Sequence, residues 1–428
     1  MMELDEQLFY TEKMKVHFMP TKTYKTNTFI LQARAPLKAT DASKRALLAE
    51  VLQDGTVSKP DRIAFRSALE ELYGTATAVD VYKKGEHHII SFRLDVPNEK
   101  FLKDAPPLTE SAVSLFSEMI FAPKREANDD LNHAAVDEEK RALKQKIASI
   151  YDDKMRYANK RLIEEMCATE DFSTHVYGSL ESVEETDVSS LTAYYDQWLE
   201  NDQLDLYVSG DMTFDEVKGL CDLFFNSERI QGEQVPAIPK NSGVPNTVRE
   251  ITEEQDIQQG KLHIGFRTGI TYGDDDYFAL LMMNGILGGF SHSKLFINVR
   301  EKESLAYYAA SQLENIKGLM IVVAGIQSDM VEKTKTIIFE QLESIRAGEI
   351  SEEEMAQTRS VLKNRWLETL DSQRGRIELA YNNEFTDSPK ALDTWFTELD
   401  HVSKADIIRV AEKIKLDTVY FLKGKVEE

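Results

Sequence analysis

The sequence predicts an α+β protein of two homologous domains, each a mainly antiparallel β-sheet packed with α-helices, joined by a central linker. Three observations predict it. At 428 residues the chain is too long for one hydrophobic core. Strand-like and helix-like segments alternate through the first half, and the same order recurs in the second. Between the halves lies Gln231-Gly-Glu-Gln-Val-Pro-Ala-Ile-Pro-Lys-Asn-Ser-Gly-Val-Pro245, rich in proline, glycine and polar residues and without an apolar period. The expected division is an N-terminal domain 1–228, a linker 229–247 and a C-terminal domain 248–428.

In the first half, Thr28–Arg34 reads as a strand, followed by a helix over Lys44–Leu52. Ser58-Lys-Pro-Asp61 is a helix start, with proline tolerated in the first turn, and that helix runs to about Tyr73. Ala76–Tyr82 and His88–Val96 form a hairpin candidate across Lys83-Lys-Gly-Glu86. Helices then cover Leu108–Phe121, a long amphipathic stretch Val136–Cys167, and Val188–Leu199, before the strand Leu204–Gly210. In the second half, Lys261–Arg267 is a strand, followed by helices over Asp276–Leu287 and Ser293–Arg300. A hairpin, Leu305–Leu313 and Leu319–Ala324, turns at Asn315-Ile-Lys-Gly318, and long helices occupy Ser328–Ala347 and Ser351–Leu370. Both halves close on a helix and a strand: Asp205-Leu-Tyr-Val-Ser-Gly210 in the first, Asp417-Thr-Val-Tyr-Phe-Leu-Lys-Gly424 in the second.

Bulk properties narrow the function. A net charge of −23 argues against nucleic acid and anionic membranes as partners, since both would repel it. Two cysteines, Cys167 and Cys221, form no metal knuckle and no disulfide framework. The start, Met1-Met-Glu-Leu-Asp-Glu, is polar and acidic, unlike a secretory signal, so a cytoplasmic location is expected. There is no Gly-x-Ser-x-Gly elbow and no phosphate-binding glycine loop.

None of the eight histidines stands in a two-histidine zinc spacing. His87 and His88 are adjacent on a strand, so their side chains leave on opposite faces. His133 and Asp137 have helical i, i+4 spacing, and a solvated surface pair is the plainer reading of them. By pattern alone Lys44–Leu52 is an amphipathic core helix.

Two segments carry more. Ala46-Leu-Leu-Ala-Glu-Val-Leu-Gln-Asp-Gly-Thr56 follows a strand and precedes a second helix and a hairpin. Leu287-Gly-Gly-Phe-Ser-His-Ser-Lys-Leu-Phe296 leads to Val299-Arg-Glu-Lys-Glu-Ser-Leu-Ala-Tyr307. Together they resemble the insulinase/pitrilysin zinc peptidases, specifically the short branch with two domains per chain, over nearly the whole sequence.

That family carries His-x-x-Glu-His on the first helix, so that two histidines grip one zinc and the glutamate holds its water. Its third ligand is a glutamate on a later helix, matched here by Glu139-Lys-Arg-Ala-Leu-Lys-Gln-Lys-Ile147. On the resemblance, the first ligand position is Ala46, the base Ala49, the second ligand Glu50 and the third Lys146. A shifted register brings Glu138 or Glu139 near without restoring a histidine. No metal or cofactor is therefore expected in this chain.

The second segment implies a retained role. In the family an arginine and a tyrosine here hold the substrate and stabilise the oxyanion at the zinc site of the opposite half, and the matching residues are Arg300 and Tyr307. A helix-end arginine paired with Glu301 or Glu303, and a core tyrosine, are the plain alternative. The resemblance implies a zinc-free subunit of a heterodimeric metallopeptidase, with a zinc-bearing chain and a peptide as partners. The rival is a peptide- or protein-binding module without a role in hydrolysis.

Overall fold

The computed structural model describes residues 6–11, 14–103, 106–225, 247–391 and 394–424. These form two compact units. One is Leu4–Ser149 with Thr174–Pro236, the other Ile150–Ser173 with Ala237–Glu428, as far as the described residues reach. The units do not follow the chain order of 1–228 and 248–428: residues 150–173 pack with the C-terminal part. The expected linker 229–247 lies, but for Thr247, outside the described residues.

The N-terminal unit is built on β1 (Gln7–Tyr10), β2 (Lys15–Pro20), β3 (Thr26–Pro36), β4 (Ala76–Lys84), β5 (His87–Pro97) and β6 (Gln203–Gly210), in the order β1-β2-β6-β3-β5-β4. Only the β2–β6 pair is parallel. The C-terminal unit has β7 (Arg249–Gln255), β8 (Gly260–Arg267), β9 (Ala306–Glu314), β10 (Leu319–Ile326) and β11 (Lys415–Gly424), in the order β7-β11-β8-β10-β9. Here only β7–β11 is parallel. Set β2 to β6 against β7 to β11 and the two orders coincide, parallel pair included. The repeat read from element spacing is thus a repeat of topology.

One face of each sheet carries a hydrophobic core. In the N-terminal unit it packs against α1 (Ala39–Val51), α2 (Arg62–Glu71) and α3 (Leu108–Phe121). In the C-terminal unit, helices Tyr277–Asn284, Val331–Arg346 and Glu352–Leu370 cover the face of Leu262, Ile264 and Phe266.

The stretch expected as one helix over Val136–Cys167 is two, α4 (His133–Asp152) and α5 (Lys154–Met166). Asp153 ends the first and caps the second, its carboxylate accepting from the backbone N–H of Met155 and Arg156. The break lets α5 leave α4 and cover the other face of the C-terminal sheet. There Leu162 and Met166 pack over Gly265, where a side chain would collide with Met166 Sδ at 2.5 Å. Arg267 fastens the end of this segment: Nε donates to Asp417 at 2.8 Å, and Nη2 to Glu170 and to the Met166 carbonyl at 2.7 and 2.8 Å.

The degenerate zinc site and the arginine–tyrosine segment

Helix α1 is bedded in the core. Ala46 and Ala49 are 2% and 1% exposed, and Arg45 on the same helix is 1% exposed. A buried guanidinium must be paired. Arg45 meets Asp202 at 2.8 Å and donates to the carbonyls of Ala33 and His88 at 3.0 and 3.1 Å. Burial works against its charge, but Asp202 beside it wins and holds the guanidinium above its ordinary range. These bonds tie α1 to β3 and β5. After the helix, Gly55 makes a turn that only glycine fits, since a Cβ would lie 2.9 Å from the backbone of Lys59, Pro60 and Asp61.

The matched ligand positions converge. Glu50 on α1 and Lys146 on α4 form an ion pair at 3.6 Å although 96 residues separate them in sequence. An ammonium thus stands at the position that the resemblance assigns to the third ligand, and its carboxylate partner at the one it assigns to the second. Lys146 also lies over the Tyr177 ring, 4.5 Å from its centroid. Partial burial opposes the charge, yet the hydrogen bond to Tyr177 and the Glu50 carboxylate outweigh it and hold Lys146 above the usual lysine range. Gln53 closes the group, donating to Glu50 at 3.1 Å.

A second ionic contact lies beside the first. Arg62 on α2 pairs with Glu139 at 2.5 Å and stands 3.7 Å from Asp54. Glu139 is therefore close to the site, as the shifted register allowed, but it is engaged by a guanidinium. The chemistry does not fit zinc: two alanines offer no donor, and a lysine held protonated repels a cation. No step of a reaction is assigned to a metal in this chain. Among the described residues no three His, Cys, Asp or Glu side chains gather as a metal would need. His133 faces Asp130 at 3.7 Å rather than Asp137, and His87 and His88 are both buried, with burial the main force pushing their pKa values down.

A cleft of about 370 Å³ opens next to this ionic group, between Glu50 on α1, Arg62 and Arg66 on α2, Glu139 on α4 and the first residues of β4.

The second segment is built differently. Two π-helical turns, Gly285–Gly289 and Phe296–Lys302, flank Phe290–Leu295, where a regular helix was expected from Ser293. π-turns are rare and concentrate at functional sites. Between them, Phe290 stacks on His292, His292 Nε2 lies 2.9 Å from Thr358 Oγ1, and Arg365 sits over the Phe290 ring. The second π-turn is followed by Ser304, whose φ of 51° reverses the chain, and Leu305 N–H donates back to the Val299 carbonyl at 3.0 Å.

This turn carries Arg300 and leads into β9. Arg300 makes no ion pair with Glu301 or Glu303; it stands over the Phe296 ring, 4.6 Å away, while Glu303 is taken by Lys333. Tyr307 is the extra residue of a β-bulge: Gly325 of β10 faces Tyr308 and the next residue, Ile326, faces Ala306. The bulge throws Tyr307 out of the ladder, and it is 77% exposed. Tyr308, its neighbour, does the packing, its ring filling the space over Gly325. Arg300 is exposed as well. The paired arginine and the core tyrosine of the plain alternative are not what the structure contains.

Comparison with known proteins bears on the same two regions. The model of a family described as "Peptidase M16 inactive domain" matches residues 187–362. A Bacillus subtilis protein named "Probable inactive metalloprotease YmfF" is 45% identical over 413 residues, 96% of either chain. The chain belongs to the M16, or insulinase, peptidase family. Within it, the inactive-domain match and the relative named as an inactive metalloprotease mark a non-catalytic member. A conserved protein from Enterococcus faecalis superposes with a TM-score of 0.92 at 33% identity over 99% of this chain and 100% of that one. The periplasmic protease PqqL of Escherichia coli shares the fold at a TM-score of 0.71 and 13% identity; the match takes in 97% of this chain but 45% of PqqL.

Sequence reasoning named Ala46, Ala49, Glu50, Lys146, Arg300 and Tyr307, and the structure brings Glu50 and Lys146 together. That reasoning missed Arg62 and Tyr177 as partners of the site and the bulge beneath Tyr307. Tyr177 meets Lys146 from 31 residues further along the chain, and nothing local in its sequence announces that contact.

Proposed function

We propose that this chain is the zinc-free subunit of a cytoplasmic heterodimeric M16 metallopeptidase. A zinc-bearing M16 chain is its partner, peptides are enclosed by the pair, and Arg300 and Tyr307 act at the partner's zinc site. The observation that carries this reading is the bulge that lifts Tyr307 into solvent, seven residues after an exposed Arg300 that has no carboxylate partner among the described residues. An unpaired guanidinium and a free phenol are both donors suited to developing negative charge. The short M16 chain also fits pairing: PqqL, whose fold matches this chain over 45% of its length, has room for two such lengths in one polypeptide.

The test is reconstitution with a zinc-bearing M16 chain of the same organism. Arg300→Ala and Tyr307→Phe are expected to lower kcat of the pair on a quenched peptide by about 10²-fold or more, the usual loss for one oxyanion donor. Binding between the chains should be unchanged. Full activity in both variants would refute the role. Absence of any complex would favour the binding module instead.

A further inference from the structure

Residues two apart on a regular strand share a face, and the bulge in β9 breaks that rule. Ala306 is buried in the main core of the C-terminal unit, with Ile326 opposite it. Tyr308 packs on the other face, against the cluster under α5. Tyr307, between them, faces no residue of β10 in the ladder. Without the extra residue the ladder would run on from Tyr308 at Gly325 to Tyr307 at Ile326. The Tyr307 ring would then point into the core, where the small side chain of Ala306 is now buried.

The seat of Tyr308 holds these places. β9 ends its sheet, and within the sheet only β10 fixes its register. A Cβ on Gly325 would lie 2.5 and 2.9 Å from Cε1 and Cζ of the Tyr308 ring and 3.0 Å from Gln259 Oε1, so the ring takes the room of the missing side chain. Gly325 is not among the glycines with positive φ, so glycine is needed here for space and not for conformation. Lys261, opposite Gly325 on β8, closes the seat: its Nζ donates to Gln259 at 2.7 Å and stands 5.6 Å from the centre of the Tyr308 ring. The Tyr308 hydroxyl is buried without a hydrogen-bond partner among the described residues. Packing and the lysine over its face hold the ring, and its oxygen does not.

We propose that Gly325 and the Tyr308 ring seated on it are the positioning pair of Tyr307. The seat commits position 308 to one face, Ala306 fills the core on the other, and the tyrosine between them is left over and directed into solvent. The catalytic consequence rests on the role given to Tyr307 above; the placement itself does not.

Two measurements separate the placement from its consequence. In the first, the full chain alone carries fluorotyrosine and is followed by fluorine NMR, the Tyr307 line being the one that vanishes in Tyr307→Phe. A soluble gadolinium chelate is expected to quench that line strongly in the unaltered chain and in Tyr308→Phe, which keeps the ring. In Gly325→Ala and in Tyr308→Ala the line should lose quenching, as part of the population turns Tyr307 inward. Equal quenching in all four proteins overturns the proposal. The second measurement is kcat of the reconstituted pair. Tyr308→Ala should lower it about 10²-fold by misplacing Tyr307, and Tyr308→Phe should restore it. In a Tyr307→Phe background Tyr308→Ala should cost no more than about twofold, because residues that act through one another do not add. An equal cost in both backgrounds overturns the proposal, since the seat would then serve the fold and not Tyr307. If Tyr307→Phe itself leaves kcat unchanged, the role given to Tyr307 fails, and the quenching still decides the placement.

Discussion

Acid should loosen the C-terminal unit through one histidine. His263 lies on the β8 face that α5 covers, between Val323 of β10 and Tyr420 of β11, and is fully buried with neither ring nitrogen hydrogen-bonded. Burial, and after it the charge on Lys261, push its pKa down to about 3. The unfolded chain takes up the proton near pH 6.5. Because the folded value is the lower one, the contribution is fully present above about pH 6.5 and is lost as pH falls toward 3. Between pH 7 and 5 the unfolded state alone gains the proton, and the integrated loss is about 2 kcal/mol. His263→Leu, close in volume and without a proton to bind, should remove that loss. In a Trp198→Phe background the remaining tryptophans, Trp366 and Trp395, both report on the C-terminal unit. Urea unfolding by their fluorescence should show a pH 7 to 5 loss smaller by about 2 kcal/mol in the leucine variant. Equal losses with and without His263 would refute the reasoning.

Other substitutions test the elements that hold the degenerate site. Arg45→Met leaves Asp202 buried and unpaired and should cost about 3–5 kcal/mol, whereas Arg45→Met with Asp202→Leu should recover most of it. Thermal denaturation of the three proteins decides this, a result near zero for the single variant being the one that counts against it. Gly55→Ala forces a Cβ onto backbone 2.9 Å away and should cost about 1–3 kcal/mol by urea titration.

How far the sequence disclosed the molecule depends on whether a contact was local. The strands β3, β5, β8, β10 and β11 announce themselves as apolar runs because both faces of each are covered, one by a core and the other by helix or neighbouring side chains. β7 escaped notice for the opposite reason. Arg249-Glu-Ile-Thr-Glu-Glu-Gln255 has one apolar residue, lies at the sheet edge and is held by parallel pairing to β11, a partner far along the chain. The split between α4 and α5 was hidden because Tyr151-Asp-Asp-Lys154 contains neither glycine nor proline; the break depends on the two helices packing in different units. At the site, Glu50 and Lys146 were named from motif register, and the fold places them 3.6 Å apart. The bulge at Tyr307 was not legible, since it arises from pairing with Gly325, whose missing side chain makes room for Tyr308.

If Lys146 and Glu50 stand at true ligand positions, the lost metal site is reversible by design. Ala46→His, Ala49→Glu, Glu50→His and Lys146→Glu together return the family's set. The contact between positions 50 and 146 shows that α1 and α4 already approach as a shared ligand requires. The obstacle is volume: Ala46 and Ala49 are buried, so the larger side chains crowd the core and should destabilise the metal-free variant by about 1–3 kcal/mol per site. Zinc must then reverse this. At free zinc one hundred times its dissociation constant, binding adds about 2.7 kcal/mol to folding. The readout is therefore a difference: the unfolding midpoint in buffered zinc minus that in chelator. For the natural chain this should be near zero. For the fourfold variant it should be positive, with one zinc per chain after dialysis, and Lys146→Glu alone should show neither. A folded fourfold variant that binds no zinc would mean that the two helices meet in a register other than that of the peptidases, and the reading of Lys146 as a displaced ligand would fail with it.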